Sequence, residues 1–217
     1  MVARCRAAGV EVAVDAVMNH MASALGNAPT GRAGSPIGPG CRSFPGLYSC
    51  QDFHHNPGDC CSNCQVDTDF DLRVLQYCDI GLPDLATGSP YVQQQLASYL
   101  RQLADLCVTG IRVDSAKHIP AADLAAILGQ AGRQLWVTHE ITLWNPSMLD
   151  QSEYYSTGRV WEFKFPGIFQ DAFKPDAPLS LLLWVWLDSR SHSYSTSSLP
   201  HLLADCSRRA PALSAWL

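Results

Sequence analysis

The sequence predicts an α/β fold whose strands lie parallel in one sheet. Segments with helical spacing alternate along the chain with short apolar runs, an order typical of βαβ units. Polar and acidic residues recur where successive strands end, the edge that carries the active site in a (β/α)8 barrel. A complete barrel needs about 250 residues, whereas the chain has 217 and a long irregular insertion. We therefore expect a partial barrel of about four βα units.

The first predicted elements are a helix, a strand and the insertion. Residues 2–8 read as the end of a helix, because Gly9 stands in the position favoured after a helix C-terminus. The valine-rich run at 10–17 predicts a buried strand. From residue 22 to about 82, glycine, proline, serine, asparagine and cysteine interrupt any period, which indicates an insertion or a small subdomain.

Regular elements resume after the insertion. Ser89 and Pro90 are a typical N-cap and first helical residue, and apolar residues follow at helical spacing to Leu106. The other predicted elements are, in order, a strand at 110–114, a helix from Pro120 to about Gly132, strands at 135–141 and 159–165, and a short helix at 166–173. No G-x-G-x-x-G follows any of these strands, which argues against a dinucleotide-binding fold.

Charge and hydropathy limit the partners. Fifteen basic and twenty acidic side chains give a net charge of −5, which argues against a nucleic-acid partner, because such proteins carry a clustered basic face. No apolar run approaches the roughly eighteen residues of a membrane span, so we expect no membrane partner. The N-terminal residues lack the long apolar core of a signal peptide.

Six of the nine cysteines lie between residues 41 and 78. Their clustering in a segment rich in glycine and proline indicates disulfides and an oxidising compartment. Cys61 and Cys64 have the C-x-x-C spacing of a zinc site, so zinc is the alternative, although a second such pair is missing. The odd count leaves at least one free thiol.

Asp114 and Glu140 are the candidate catalytic residues, because each ends one of two consecutive predicted strands. Two carboxylates in one cleft can divide the work of glycoside hydrolysis between a nucleophile and a proton donor. Arg112 lies on the same strand face as Asp114 and could hold that carboxylate ionised. The alternative interpretation is that both carboxylates cap the helices that follow them.

Metal ligands are less apparent from spacing. His139 and Glu140 begin an H-E-x-x-H zinc-protease motif, but Leu143 stands where the second histidine is required. Asn19 and Asp84 flank the insertion and could offer oxygens to a hard cation such as calcium, although each alone is also typical of a turn. The lone histidines are interpreted as ordinary polar surface residues: His54, His55, His192 and His201.

Three segments, in order, resemble conserved segments of a known family. Residues 15–20 (DAVMNH) are similar to the first segment of the α-amylases, glycoside hydrolase family 13. Residues 110–118 (GIRVDSAKH) resemble the second, which carries the nucleophile, and residues 139–141 (HEI) the third, which carries the general acid/base. The stretches GLPDL, TGSPYVQQQLASYL and GRVWEFKF match the surroundings in animal and actinobacterial members. The resemblance runs from residue 1 to about 174.

The resemblance implies endo-acting hydrolysis of α-1,4-glucosidic bonds in starch- or glycogen-type glucans by a retaining double displacement. Asp114 would be the nucleophile and Glu140 the proton donor. The substrate-binding residues would be Asp15, His20, Arg112, Lys117 and His118. The alternatives are another hydrolase or transglycosylase of the same family, and a catalytically dead glucan-binding remnant.

The resemblance also implies calcium, held by Asn19, the carboxylate of Asp84 and the backbone carbonyl of His118. The ion would join a small B domain, residues 21–75, to a partial TIM barrel of about strands 3 to 6, residues 1–20 and 76–174. A disulfide to Cys78 from Cys60, Cys61 or Cys64 fits that B domain. Arg112 alone does not decide whether chloride also binds.

The family members are secreted, and we expect a monomer whose partner is an α-glucan polysaccharide. Residues 175–217 match no family segment and are expected to lie outside the family fold. The segment with the family's third catalytic acid has no counterpart in the sequence. We therefore expect little activity from residues 1–217 alone.

Overall fold

The computed structural model describes residues 1–23, 35–38, 40–67, 71–143, 147–161, 163, 170–171 and 173–174. The helices are α1 (Val2–Ala7), α2 (Leu72–Tyr77), α3 (Pro90–Asp105) and α4 (Ala121–Ala131). The strands are β1 (Ala13–Val17), β2 (Gly110–Asp114), β3 (Trp136–His139) and β4 (Arg159–Val160). Single 3-10 turns lie at Cys50–Asp52, Ala116–His118 and Gln151–Tyr154.

The four strands form one parallel sheet in the order β1-β2-β3-β4. The predicted parallel arrangement is confirmed, because every crossover returns to the neighbouring strand in the same direction. β2 spans residues 110–114 as predicted, whereas β1 and β3 are shorter than the predicted strands at 10–17 and 135–141. β1 begins only where Ala13 meets Gly110 of β2, and β4 pairs only through its two residues with Thr138 and His139.

The prediction that the first strand is buried is wrong for most of β1. Only Ala16 is buried, and Val17 is 44% exposed. Among the described residues β1 pairs with β2 alone, so its other edge has no strand beside it. The apolar residues of β1 thus predict that a strand forms, but they do not predict how much of the strand is buried by the rest of the fold.

Helices α3 and α4 begin and end as their sequences predict. Ser89 is the N-cap of α3 with Pro90 at its first position, and Gly132 ends α4 in the left-handed region at φ 58°. The two helices share one core with β2, in which each large apolar side chain contributes about 1.5–3 kcal/mol. The buried residues at this contact are Val92, Leu96, Leu100, Ile111, Val113, Leu124 and Ile127.

Three disulfides cross-link the insertion: Cys41–Cys61, Cys50–Cys60 and Cys64–Cys78. The prediction of disulfides rather than zinc is confirmed, because Cys61 and Cys64 belong to different disulfides and their sulfurs are not free to bind a metal. In the part of the chain that is described, Cys5 and Cys107 form no disulfide.

An aromatic cluster attaches the insertion to the rest of the fold. The rings of Phe44 and Tyr48 lie 5.7 Å and 6.1 Å from that of Phe53, and all three are buried. Phe53 forms a β-bridge with Leu85, which precedes α3. Because these residues belong to the same core as the sheet, the insertion and the βα units pack as a continuous structure.

Two predictions fall on parts of the chain outside this description. Most of the predicted helix at 166–173 and all of residues 175–217 lie outside the described residues. Within the described residues, the helices are too short or too polar to cross a bilayer.

Candidate functional site

Three acidic side chains converge on the guanidinium of Arg112: Asp15 lies within β1, Asp114 ends β2 and Glu140 directly follows β3. Nη1 of Arg112 lies 2.6 Å from Oδ1 of Asp15 and 3.0 Å from Oδ1 of Asp114. Nη2 of Arg112 lies 2.6 Å from Oε1 of Glu140. The register explains this meeting, because Asp15 is directly opposite Arg112 and side chains two residues apart on a strand share a face.

The charges at this cluster favour an ionised arginine. Burial by itself would lower the pKa of Arg112, but the hydrogen bonds to Asp15 and Asp114 and the charge of Glu140 outweigh it and raise the pKa. The side chains of Asp114 and Glu140 are only 25% and 26% exposed, so both contact Arg112 where water is partly excluded. A permanently charged guanidinium therefore holds two carboxylates close together.

A sharp turn after β2 adds two further contacts to the same carboxylates. The backbone N–H of Ser115 donates to Oε2 of Glu140 at 3.0 Å, and its hydroxyl donates to Oδ2 of Asp114 at 3.2 Å. Ser115 reaches both because its backbone is left-handed, with φ 51°. This residue was not predicted, since nothing in its spacing distinguishes it from an ordinary turn serine.

Trp161 is a second residue of the cluster that sequence reasoning missed. Its ring centroid lies 4.8 Å from the guanidinium carbon of Arg112, which is cation–π distance. Its backbone N–H donates to the carbonyl of His139 and so holds it at the end of the sheet. Trp161 is 43% exposed and its ring lies 6.0 Å from that of Phe163, which makes an aromatic surface beside the carboxylates.

The other predicted substrate-binding residues lie around this cluster. Lys117 and His118 lie on the 3-10 turn that follows β2. Lys117 is partly exposed, whereas the His118 ring is buried and donates from Nδ1 to the carbonyl of Leu75 at 2.7 Å. His20 is half-buried, and burial lowers its pKa below 6.5 although the charge of Asp114 acts in the opposite direction.

The three predicted metal ligands meet in a second, buried cluster. Nδ2 of Asn19 donates to Oδ1 of Asp84 at 2.7 Å and to the backbone carbonyl of His118 at 3.2 Å. Asn19 and Asp84 are 0% and 1% exposed. Residues separated by up to 99 positions thus place a carboxylate, an amide and a carbonyl around one point.

The carboxylate of Asp84 is in an unfavourable place for a charge. Burial raises its pKa to about 6, and the nearby Asp79 adds to the effect, although His54 and Asn19 oppose it. A bound cation would remove this cost by pairing the charge. Within the described residues, no three His, Cys, Asp or Glu side chains are grouped to hold a metal ion. The cluster around Asp84 is not a group of this kind, because its other two members are the Asn19 amide and the His118 backbone carbonyl.

His54 belongs to the Asp84 cluster, so its interpretation as an ordinary surface residue is wrong. Nδ1 of His54 lies 2.5 Å from Oδ2 of Asp84, and the His54 side chain is 22% exposed. No sequence pattern links the two residues, because their contact depends on how the insertion folds back over the sheet. His55 remains a peripheral residue that contacts the carbonyl of Asn56, and His192 and His201 lie outside the described residues.

The chain is similar to curated α-amylases. It is 38% identical over 191 residues to an α-amylase of Thermomonospora curvata, an alignment that covers 80% of this chain and 29% of that protein. It is 36% identical over 179 residues to the pancreatic α-amylase of Sus scrofa, covering 76% of this chain and 35% of the relative. The chain thus spans about a third of the length of these relatives. No family model matches the sequence.

Solved structures give the same result. The α-amylase I of Eisenia fetida superposes with a TM-score of 0.70 at 28% identity, covering 81% of this chain and 38% of that one. A mutant of that enzyme, solved with maltohexaose, gives a TM-score of 0.67 over the same shares. The parallel sheet and these neighbours indicate a TIM-barrel-type α/β fold. The chain is therefore α-amylase-like: its sequence and its fold match about a third of each of these relatives.

Proposed function

We propose that these residues form the catalytic centre of an endo-acting α-1,4-glucan hydrolase that retains anomeric configuration. The observation that carries the proposal is the convergence of Asp114 and Glu140 on the guanidinium of Arg112. Retaining enzymes need their two carboxyl groups about 5 Å apart. Because both carboxylates contact the one guanidinium of Arg112, they lie near each other, as a retaining mechanism requires.

In the proposed reaction Asp114 attacks the anomeric carbon while Glu140 gives a proton to the leaving oxygen. Nη1 of Arg112 lies 3.0 Å from Oδ1 of Asp114 and holds the attacking carboxylate in position. In the second step Glu140, now ionised, takes a proton from the water that releases the sugar from Asp114. The Ser115 N–H donates a hydrogen bond to Oε2 of Glu140 and so holds that side chain in place.

The proposed substrate is a starch- or glycogen-type glucan. The Eisenia fetida relative was solved with maltohexaose, which has the chemistry expected of such a ligand. The exposed faces of Trp161 and Phe163 beside Arg112 could pack against a sugar ring. Asp15, His20, Lys117 and His118 are the proposed additional contacts to the glucan.

We also propose a structural calcium site at the Asp84 cluster. The residues fit the ion, because calcium prefers carboxylate, amide and carbonyl oxygens. Rotation of the Asn19 amide exchanges its oxygen and nitrogen, so that three oxygens face one another. The exchange is compatible with His20, whose Nδ1 lies 3.3 Å from Oδ1 of Asn19 and, being neutral, can accept a hydrogen bond from the amide nitrogen.

The calcium would join the disulfide-linked insertion to the strands. We propose that residues 21–75 are the B domain and that 1–20 and 76–174 belong to the barrel, with residues 175–217 outside it. Three disulfides are consistent with an extracellular location, and we propose that the full-length protein is a secreted monomer.

The experiment that tests the activity is a graft. Residues 1–174 replace the matching third of an α-amylase of known activity, and reducing-end release from starch is measured with calcium present. We expect turnover with the α-anomer as first product. A graft that binds maltohexaose but releases nothing would favour the catalytically dead glucan-binding remnant, and a product of inverted configuration would contradict the retaining mechanism.

Calcium is tested on the chain itself. A ligand that binds only the native state raises the melting temperature by mass action. Chelation should therefore lower the melting temperature of the wild-type chain, and Asp84→Ala should remove the dependence on chelator. A melting curve that is unchanged by chelator would rule out the site.

A further inference from the structure

We propose that His54 is a positioning residue for the metal, one that fixes the orientation of the Asp84 carboxylate toward the cation. The inference rests on the calcium site proposed above and deepens it. It assigns a role to a histidine of the insertion that lies 30 residues before the carboxylate it contacts.

The contacts divide the two oxygens of Asp84 between different partners. Oδ2 accepts from Nδ1 of His54 at 2.5 Å, whereas Oδ1 is the oxygen that faces Asn19 at 2.7 Å. The amide of Asn19 in turn lies against the carbonyl of His118. Oδ1 is therefore the oxygen of Asp84 that lies at the point where the proposed ligands meet.

Such a restraint matters because the terminal torsion of an aspartate is broad. The carboxylate plane has no deep rotamer wells of its own, so its orientation must come from its neighbours. The backbone fixes the position of Asp84, since its N–H donates to Oδ1 of Asp79 and its carbonyl accepts from the His54 N–H at 3.0 Å. Neither backbone contact sets the rotation of the carboxylate, whereas the side chain of His54 does.

The His54 ring is itself held in place. Phe53, its neighbour, is buried and bridges Leu85, which fixes the backbone beside Asp84. The His54 ring packs on Tyr77 with 4.9 Å between centroids. Tyr77 precedes Cys78, which the disulfide to Cys64 ties to the insertion. The orientation of the metal ligand thus depends on the fold of the disulfide-linked insertion.

The test measures calcium affinity by titration calorimetry on the full chain, with the ion alone as ligand. Two variants separate hydrogen bonding from packing. His54→Phe keeps a ring against Tyr77 but cannot donate to Asp84, whereas His54→Asn can donate but loses the ring. We expect His54→Phe to weaken calcium binding about 10- to 100-fold, the usual effect of losing a partner of a metal ligand. His54→Asn should keep most of the affinity.

Two further variants complete the design. His55→Leu is the control, because His55 is the neighbouring histidine and its hydrogen bond goes to the exposed carbonyl of Asn56. This variant should bind calcium like the wild type. Asp84→Asn removes the proposed ligand itself and should abolish binding.

The outcomes separate this inference from the calcium site on which it rests. If the wild type binds no calcium, the site fails and the role of His54 fails with it. If Asp84→Asn loses binding while His54→Phe binds like the wild type, the site stands and the role of His54 is overturned. Affinity in His54→Asn as low as in Asp84→Asn would also overturn it, because the ring packing and not the donor would then be essential.

Discussion

The backbone N–H of Ser115 lies 3.0 Å from Oε2 of Glu140, so the turn that follows one candidate catalytic residue holds the other. Ser115 comes directly after Asp114, and its hydroxyl also reaches that carboxylate. The turn requires a left-handed backbone, a conformation that costs about 1–2 kcal/mol for a residue with a side chain. Strain of this kind is typical of residues that position an active site.

The first prediction concerns this backbone. Ser115→Val should lower the free energy of unfolding by about 1–2 kcal/mol, because a β-branched side chain tolerates positive φ poorly. Ser115→Gly keeps the N–H that Glu140 needs and removes the strain, so it should be clearly more stable than the valine variant. Urea unfolding of both variants and the wild type gives the comparison. Equal stability of the valine and glycine variants would contradict the strained turn.

The second prediction is a pH dependence that comes from His139. This residue is 0% exposed, and burial lowers its pKa to about 4. Its Nε2 lies 3.0 Å from the hydroxyl of Thr157, which itself donates to the carbonyl of Tyr154, so Nε2 carries the proton. Its Nδ1 is buried and has no hydrogen-bond partner within the described structure, so a second proton there would be unfavourable.

The sign follows from linkage. Below pH 6.5 the unfolded chain binds a proton at this histidine, whereas the folded chain does so only near pH 4. The contribution of neutral His139 to the free energy of unfolding is therefore fully present above pH 6.5. It decreases by roughly 2–3 kcal/mol as the pH drops to about 4. Because carboxylates titrate in the same range, the measurement is the difference between wild type and His139→Gln in urea unfolding. A difference that does not change between pH 7 and pH 4 would contradict a neutral buried His139.

The third prediction concerns the approach of β4 to β3. A Cβ on Gly158 would lie 2.7 Å from the carbonyl oxygen of Val137 and 2.8 Å from Nε2 of His139. Gly158→Ala should therefore destabilise the chain by about 1–3 kcal/mol, as overpacking does in a filled core. The matched control is Gly129→Ala on the exposed side of α4, where nothing lies within 4 Å and alanine should stabilise the helix by about 0.5–1 kcal/mol. Thermal unfolding of the two variants should shift in opposite directions, and a neutral Gly158→Ala would argue against this packing.

The parts of the site that sequence predicts lie at strand ends. Asp114 ends β2 and Glu140 follows β3, and their meeting is a consequence of parallel neighbours whose carboxyl ends share an edge. Arg112 could be assigned to the same face because side chains alternate along a strand. The ends of α3 and α4 are also predictable from sequence, because Ser89, Pro90 and Gly132 each act on the backbone within one helical turn.

The parts that sequence does not predict depend on tertiary packing. His54 meets Asp84 only after the insertion closes over the sheet, and spacing of 30 residues carries no signal of that contact. Trp161 reaches Arg112 through the register of β4, a strand of two residues. Helix α2 is also too short, at six residues, to display a period within an irregular segment.

The central claim is that Asp114 and Glu140 perform the chemistry, and the measurement that tests it most directly is turnover of the grafted enzyme. Asp114→Asn and Glu140→Gln are introduced separately into the graft that carries residues 1–174, and kcat on starch is measured alongside binding of maltohexaose. Each variant should lose several orders of magnitude in kcat and keep most of its affinity, because each group acts mainly in the transition state. Retention of more than about a tenth of kcat by either variant would contradict the assignment.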